Sequence, residues 1–367
     1  MTKNQFLEKI TEGKTDVFVF KNKDKEKGPG SKEKMPFFNP AMQLNRDFSI
    51  ILCQWLVNNS ERELEFLDGL AASGIRGVRL ANEIDGDFKV YINDWNEDSF
   101  ELIKKNIKEN NLENVGSYNL NLNVLLSEKK FDYIDIDPFG SPVYFVDSAI
   151  RSIKNNGVIA FTATDTATLC GVYPKVCLRR YAAVPFHSAV MKEVGLRILI
   201  GFICKNASKY DKSIEPLASY STDHYFRVYI KIKKGVNSTN KCMKNFQIIK
   251  EGKNIGYEKA EKDTGPMWMG EIQDRKVIEN LRTILFEREL GSKKELWKLF
   301  DLLEEESNSS AFFYTTEGLS SFFKASPPKV ERIIEKIKKL DYVATKTQFS
   351  SSGFKTDAPI DVIKEMF

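Results

Sequence analysis

Four short apolar runs, LEFLD (64–68), KVYIND (89–94), FDYIDID (131–137) and GVIAFTAT (157–164), are separated by segments of helical periodicity near 74–83, 97–110 and 143–155. Strands joined through helices pair in parallel, and a parallel sheet must be covered on both faces. The alternation therefore predicts a doubly wound α/β domain. Ahead of the first run, Phe48, Ile51, Leu52, Trp55 and Leu56 recur at helical spacing from Arg46 to about Asn58. Segment 97–110, with Phe100, Ile103 and Ile107 inward and lysines outward, is the clearest single helix. An apolar helix over about 187–207 leads to YFRVYIKIKK (225–234), whose alternation reads as a late strand.

At 367 residues the chain has room for a second domain. The expected division is 1–235 and 236–367, the latter a smaller α/β C-terminal domain. From Lys234 to about Gly265 the text is polar with scattered Gly, Asn and Ser, as in a domain crossing or a peripheral hairpin. Helical spacing then returns, ending in a Pro327-Pro328 start and a helix with Ile333, Ile334, Ile337 and Leu340 on one face. Between 321 and 340 stand Lys324, Lys329, Arg332, Lys336, Lys338 and Lys339 against only Glu331 and Glu335. A Ser/Thr-rich segment with Lys355 follows. A basic helix and a polar ribbon outline a winged-helix unit and a nucleic-acid contact, although charge on an exposed helix face is also ordinary. Residues 21–34, KNKDKEKGPGSKEK, read as an exposed loop.

Composition narrows the chemistry. Hydrophobic residues at 42% and charged residues at 29% exclude wholesale disorder and fibrous repeats, and a net charge of +4 leaves any nucleic-acid contact to local patches. The five cysteines include no C-x-x-C pair and read as reduced thiols. With two histidines, His187 and His224, a histidine-rich metal site or a triad has little to draw on. Carboxylates, amides and backbone must do the work. The charged N-terminus and the lack of 18 uninterrupted apolar residues point to a cytoplasmic chain, neither exported nor membrane-spanning.

The strand ends carry that chemistry. The first run closes on Asp68 and enters GLAASGIRG, whose glycines allow a tight turn and close approach of a ligand to a helix start. Ile75 and Arg76 stand where a P-loop needs Lys and Ser/Thr, and Leu70-Ala71 breaks the dinucleotide fingerprint G-x-G-x-x-G. What remains is the looser loop of S-adenosylmethionine enzymes, or an ordinary strand-to-helix turn. The second run ends in Asp94, 25 residues after Gly69, where a carboxylate can accept both ribose hydroxyls or else cap the next helix. Asp68 and Asp94 together favour adenosine.

The third run breaks at Pro138 into D-P-F-G-S-P (137–142). Asp135 and Asp137 share a face, but only Asp137 sits where the crevice opens. A carboxylate there, or a carbonyl turned out by Pro138, can accept hydrogen bonds from an exocyclic amine and orient it for methyl transfer. Phe139 can stack on a base withdrawn from its helix. A Pro-Gly turn with an aromatic plug is the structural alternative. In the next run, Asp165 with Thr162, Thr164 and Thr166 suits a hydrogen-bonding loop below the site, and His187 a capping or core role. Lys175, Arg179 and Arg180 suit either phosphates or a solvated face.

Together FFNPAMQLNRDFS (37–49), DGLAASGIRGVR (68–79), NDWN (93–96), DIDPFGSP (135–142) and TATDTATLCG (162–171) resemble the tRNA guanine-26 N2-dimethyltransferase family, and GPMWMG (265–270) and FKTDAP (354–359) resemble its C-terminal signatures. The resemblance implies that Arg46, Arg76 and Asp94 hold S-adenosyl-L-methionine, that Asp137 is catalytic, and that Phe37 and Phe139 sandwich the guanine. Where the family often has Asp-Ala at the adenine, this chain places Asn121 and Leu122 by register. Of the four zinc cysteines many members carry between domains, only Cys242 is present, so no metal is expected. The implied function is methylation of N2 of guanine 26 in tRNA to the mono- and dimethyl forms, with tRNA as partner. The alternatives are an N2-guanine or N6-adenine methyltransferase acting on another RNA position or DNA, and a non-catalytic RNA-binding relative.

Overall fold

The computed structural model describes residues 7–20, 36–222, 224–307 and 309–367. The loop expected over 21–34 lies outside them. Seven strands form one sheet in the order Val115–Tyr118, Phe88–Asn93, Leu64–Asp68, Phe131–Ile136, Ile153–Ala163, Phe226–Lys234, Lys212–Ser221. The first five pair in parallel, and the four runs read from sequence lie side by side among them. Their order along the sheet reverses between Leu64–Asp68 and Phe131–Ile136, and this is a topological switch point. Two strands escaped the sequence reading. Val115–Tyr118 is four residues with no fully buried member, and Lys212–Ser221 carries polar residues at both ends.

Helices Ile75–Glu83, Glu97–Glu109 and Val143–Ser152 join the parallel strands, close to the expected bounds. In Glu97–Glu109 the buried face holds Ser99, Leu102, Ile103 and Asn106, with Phe100 and Ile107 at its margins. Asn106 is inside because its amide pairs with the main chain of Phe18 and with the Ser73 carbonyl. Phe18 belongs to the hairpin Leu7–Glu12/Thr15–Phe20, whose short VFVF run at 17–20 is not among the four strand runs.

By compactness the chain divides into one unit of residues 1–164, 229–234 and 279–297 and another of 165–228, 235–278 and 298–367. The chain crosses between them several times, unlike the linear division at 235. Within the second unit, the polar stretch after Lys234 contains helix Val236–Met243 and strand Phe246–Ile249, the latter paired with Thr264–Trp268. The signature GPMWMG lies on helix Met191–Ser208. A Cβ on Gly201 would stand 3.0 Å from Met267 Cα, and Arg197 donates to the Trp268 and Gly270 carbonyls.

The helix-then-ribbon outline is what the C-terminus forms. Helices Thr316–Phe323 and Val330–Lys338 precede the hairpin Ala344–Thr347/Ser350–Thr356, with Tyr314–Thr315 pairing to its second strand. Val330, Ile333, Ile334 and Ile337 pack into this core, whereas Leu340 is exposed. Lys355 is not a surface cation. It is buried, 3.0 Å from Glu193 Oε1 and 3.9 Å from Glu306 Oε2.

Candidate active site

Asp68 ends the first parallel strand, and Asp137 stands one residue beyond the fourth, so both lie at the carboxyl edge of the switch point. Gly69 N–H donates to the Asp135 carbonyl at 3.0 Å, fastening the two strand ends together. Asp135 is wholly buried and accepts from Tyr133 Oη at 2.6 Å, while Asp137 at the rim keeps partial exposure. The turn after Pro138 is closed by Gly140, at φ +84°, whose N–H donates to Thr164 Oγ1 at 2.7 Å. The Thr164 N–H returns a bond to the Gly140 carbonyl. Thr164 thus has the supporting role read for its segment. Phe139 is 48% exposed, its ring 5.3 Å from that of Phe37 in an edge-to-face pair at 68°.

Arg76, in the first turn of Ile75–Glu83, meets this edge. Its Nη2 donates to Asp137 Oδ2 at 2.5 Å, its Nη1 to Asn45 Oδ1 and Ser49 Oγ at 2.8 Å each, and its Nε lies 3.5 Å from Asp135 Oδ1. Helix Gln43–Asn58 therefore holds the guanidinium that in turn holds Asp137.

Asp68 accepts from Gly77 N–H at 2.9 Å. The contact needs glycine, since a Cβ there would stand 2.6 Å from Ile92 Cγ1. Burial pushes the Asp68 carboxyl up to about 7, with the Arg76 charge opposing and Asp135 adding to the rise. Asp94 accepts from Ala72 N–H at 2.8 Å and Asn96 N–H at 2.9 Å. Burial still raises it above its ordinary value. It does not cap the following helix; Asn96 does, accepting from Ser99 N–H.

Arg46 is engaged elsewhere. Its Nε and Nη2 form a two-pronged pair with Glu12 at 2.6 Å each, and Nη1 donates to the Asn39 carbonyl. Burial alone would raise Glu12, but the Arg46 and Arg79 charges hold its carboxyl below the usual range. Leu122 is buried with its methyls against Gly69, and Asn121 caps Leu122–Glu128, its Oδ1 accepting from Asn123 N–H. His187 is exposed rather than in the core, its Nδ1 2.9 Å from the Cys170 carbonyl oxygen.

Sequence reading missed Glu12, Asn45, Ser49 and Asn93. Asn93 Nδ2 donates to the carbonyls of Gly69 and Leu120, tying neighbouring loops to the edge. Asn45 and Ser49 lie within FFNPAMQLNRDFS, one turn apart on the helix that carries Arg46, and have no charge to mark them.

The donor set fits S-adenosylmethionine. Two desolvated carboxylates await cationic or hydroxyl hydrogen-bond donors, Leu122 offers an apolar wall, and the glycine loop keeps the backbone low. A ligand carboxylate would share or take over a guanidinium now held by Glu12 or Asp137. Among the described residues no cluster of metal-ligating side chains is present, and no helix is long and apolar enough to cross a membrane.

Residues 16–367 match the family model described as N2,N2-dimethylguanosine tRNA methyltransferase. A tRNA (guanine(26)-N(2))-dimethyltransferase of Methanobrevibacter smithii is 37% identical, covering 90% of each chain, and that of Pyrococcus abyssi is 36% identical, covering 97% of each. A solved structure of Trm1 from Pyrococcus horikoshii in complex with S-adenosyl-L-methionine superposes with a TM-score of 0.87 at 34% identity, covering 98% of this chain and 99% of that one.

Proposed function

This chain belongs to the N2,N2-dimethylguanosine tRNA methyltransferase family, and from that premise we propose that it methylates the exocyclic N2 of guanine 26 in tRNA, using S-adenosylmethionine. The observation that carries the reading is Asp137 at the switch point, held by Arg76 one strand from Asp68. Bound there, S-adenosylmethionine supplies an electrophilic methyl group. Asp68 and Asp94 would hold its cationic and hydroxyl groups, Arg76 and, on release from Glu12, Arg46 its carboxylate, and Asn121 with Leu122 its base.

The amine of guanine is a poor nucleophile because its lone pair is delocalised into the ring. Asp137, oriented by Arg76, accepts one N2–H bond, turns the lone pair toward the methyl group and takes the N2 proton as the methyl passes from sulfur to nitrogen. Phe139 and Phe37 replace the stacking that the base loses on leaving its helix. Arg76 would then serve two carboxylates, with Asn45 and Ser49 keeping its guanidinium in place. The linear division assigns transfer to residues 1–235 and tRNA contact to 236–367, where exposed Lys329, Arg332, Lys338 and Lys339 suit phosphates. A tRNA substrate supports a cytoplasmic location for the enzyme.

The test is incubation with labelled cofactor and total tRNA lacking N2-methylated guanines, then nucleoside mapping. Label at N2 of guanine 26 supports the reading. Label only at other positions, at N6 of adenine or in DNA, or no turnover despite cofactor binding, overturns it.

A further inference from the structure

From Thr166 to Lys192 the chain has 27 consecutive residues without a carboxylate, in a protein where Asp and Glu total 51 of 367. At the middle of this stretch lies helix Pro174–Tyr181. Its inward face is fixed: Cys177 and Tyr181 are buried, the Tyr181 ring meets Phe202 edge to face at 5.6 Å, and its hydroxyl donates to Asp165 Oδ1 at 2.8 Å. Asp165 also takes Arg180 Nη1 at 3.1 Å, so the acid just ahead of the stretch is engaged by Tyr181 and Arg180.

The outward face is different. Lys175, Leu178 and Arg179 stand at i, i+3 and i+4, hence on one face, and Tyr173 is the residue just before the helix. Tyr173 is 56% and Leu178 53% exposed, and among the described residues neither Lys175 nor Arg179 has an ion-pair partner. An ordinary solvated helix face alternates charges of both signs. This one offers cations and an aromatic ring without any anion.

We propose that Tyr173 and helix Pro174–Tyr181 form a tRNA contact distinct from the basic C-terminal helix, with Lys175 and Arg179 on backbone phosphates and Tyr173 against a base or ribose face. The occupant follows from charge and shape. Unpaired cations on a rigid platform answer a regularly spaced polyanion, and an exposed phenol ring at their edge answers a planar base. The assignment rests on the tRNA reading above, and tests separately from it.

The experiment measures tRNA binding by the full chain against salt, for wild type, the double variant Lys175→Ala/Arg179→Ala, Tyr173→Ala and Tyr173→Phe. All the altered side chains are exposed, so thermal unfolding and affinity for S-adenosylmethionine serve as controls and stay at wild-type values. Each lost phosphate contact flattens the slope of log affinity against log salt by about 0.7–0.9, so the double variant loses roughly 1.5. Tyr173→Ala binds roughly tenfold more weakly, while Tyr173→Phe keeps its stacking and its affinity. If wild type methylates tRNA and the double variant keeps both affinity and slope, the patch is refuted and the enzymatic reading survives. A wild-type chain that neither binds nor methylates tRNA refutes both. Unchanged tRNA binding with loss of self-association in the variants assigns the face to a second copy of the chain instead.

Discussion

Replacing Asp68 by asparagine isolates the cost of an ionised carboxylate at the switch point. Asparagine is nearly isosteric and its carbonyl can still accept from Gly77 N–H, so the change removes charge and little else. In the folded chain the Asp68 pKa is raised from 3.8 to about 7, chiefly by burial. Between those values the folded state holds a proton that the unfolded state has lost. Stability is therefore fully present below the unfolded pKa and is lost as pH rises through the folded one. Roughly three pH units at ~1.36 kcal/mol each amount to ~4 kcal/mol across the window. Urea unfolding of both proteins at pH 5, 6, 7 and 8 reads the difference, which cancels every other titrating group. The variant should gain ~3 kcal/mol on wild type between pH 5 and pH 8, levelling above pH 7. A flat difference, or one that favours wild type as pH rises, refutes the burial argument. The same carboxylate links to binding. A cation brought against Asp68 lowers its pKa, so at pH 6 cofactor binding should release close to one proton, seen by calorimetry in buffers of different ionisation enthalpy, and Asp68→Asn should release none.

Asp137→Ala should abolish methyl transfer while changing cofactor affinity little, because Arg76 keeps Asn45 and Ser49 as partners; single-turnover methylation at the wild-type rate would remove Asp137 from the mechanism. Lys355→Met should cost about 3–5 kcal/mol in urea unfolding, since Glu306 would be left buried without a cation and Glu193 with Arg197 alone; a loss below ~1 kcal/mol shows that the cluster does not hold the second unit together. Gly77→Ala should destabilise by about 1–3 kcal/mol and weaken cofactor binding, as the new methyl drives helix Ile75–Glu83 off Ile92 and lengthens the bond to Asp68. Wild-type unfolding and cofactor affinity in that variant would mean the helix start has slack.

The sheet was legible because its strands are buried on both faces and so cannot help being apolar runs. LEFLD matches its strand residue for residue, and the runs ending at Asp94 and Asp137 overshoot theirs by one. Strands with less buried surface, such as Val115–Tyr118, lacked that signal. The hairpin Leu7–Phe20 was missed for a different reason: its polar positions pair across the chain, Thr15 Oγ1 with Glu83 and the Phe18 main chain with Asn106, and periodicity does not record partners 68 or 88 residues away.

The sequence by itself determined the alternation of strand and helix, and with it which edge of the sheet would present Asp68, Asp94 and Asp137, because strand ends follow from local apolar pattern. Tertiary structure alone decided what those charges meet. It turned Arg46 to Glu12 and Arg76 to Asp137, and drew Lys355 out of a surface ribbon into a buried pair. It also brought Cys204 and Cys242, far apart in the chain, to 3.6 Å between sulfurs. The physical reason is that burial is imposed by neighbours from distant segments, and the protonation state and partner of a charge depend on that burial more than on the residues beside it.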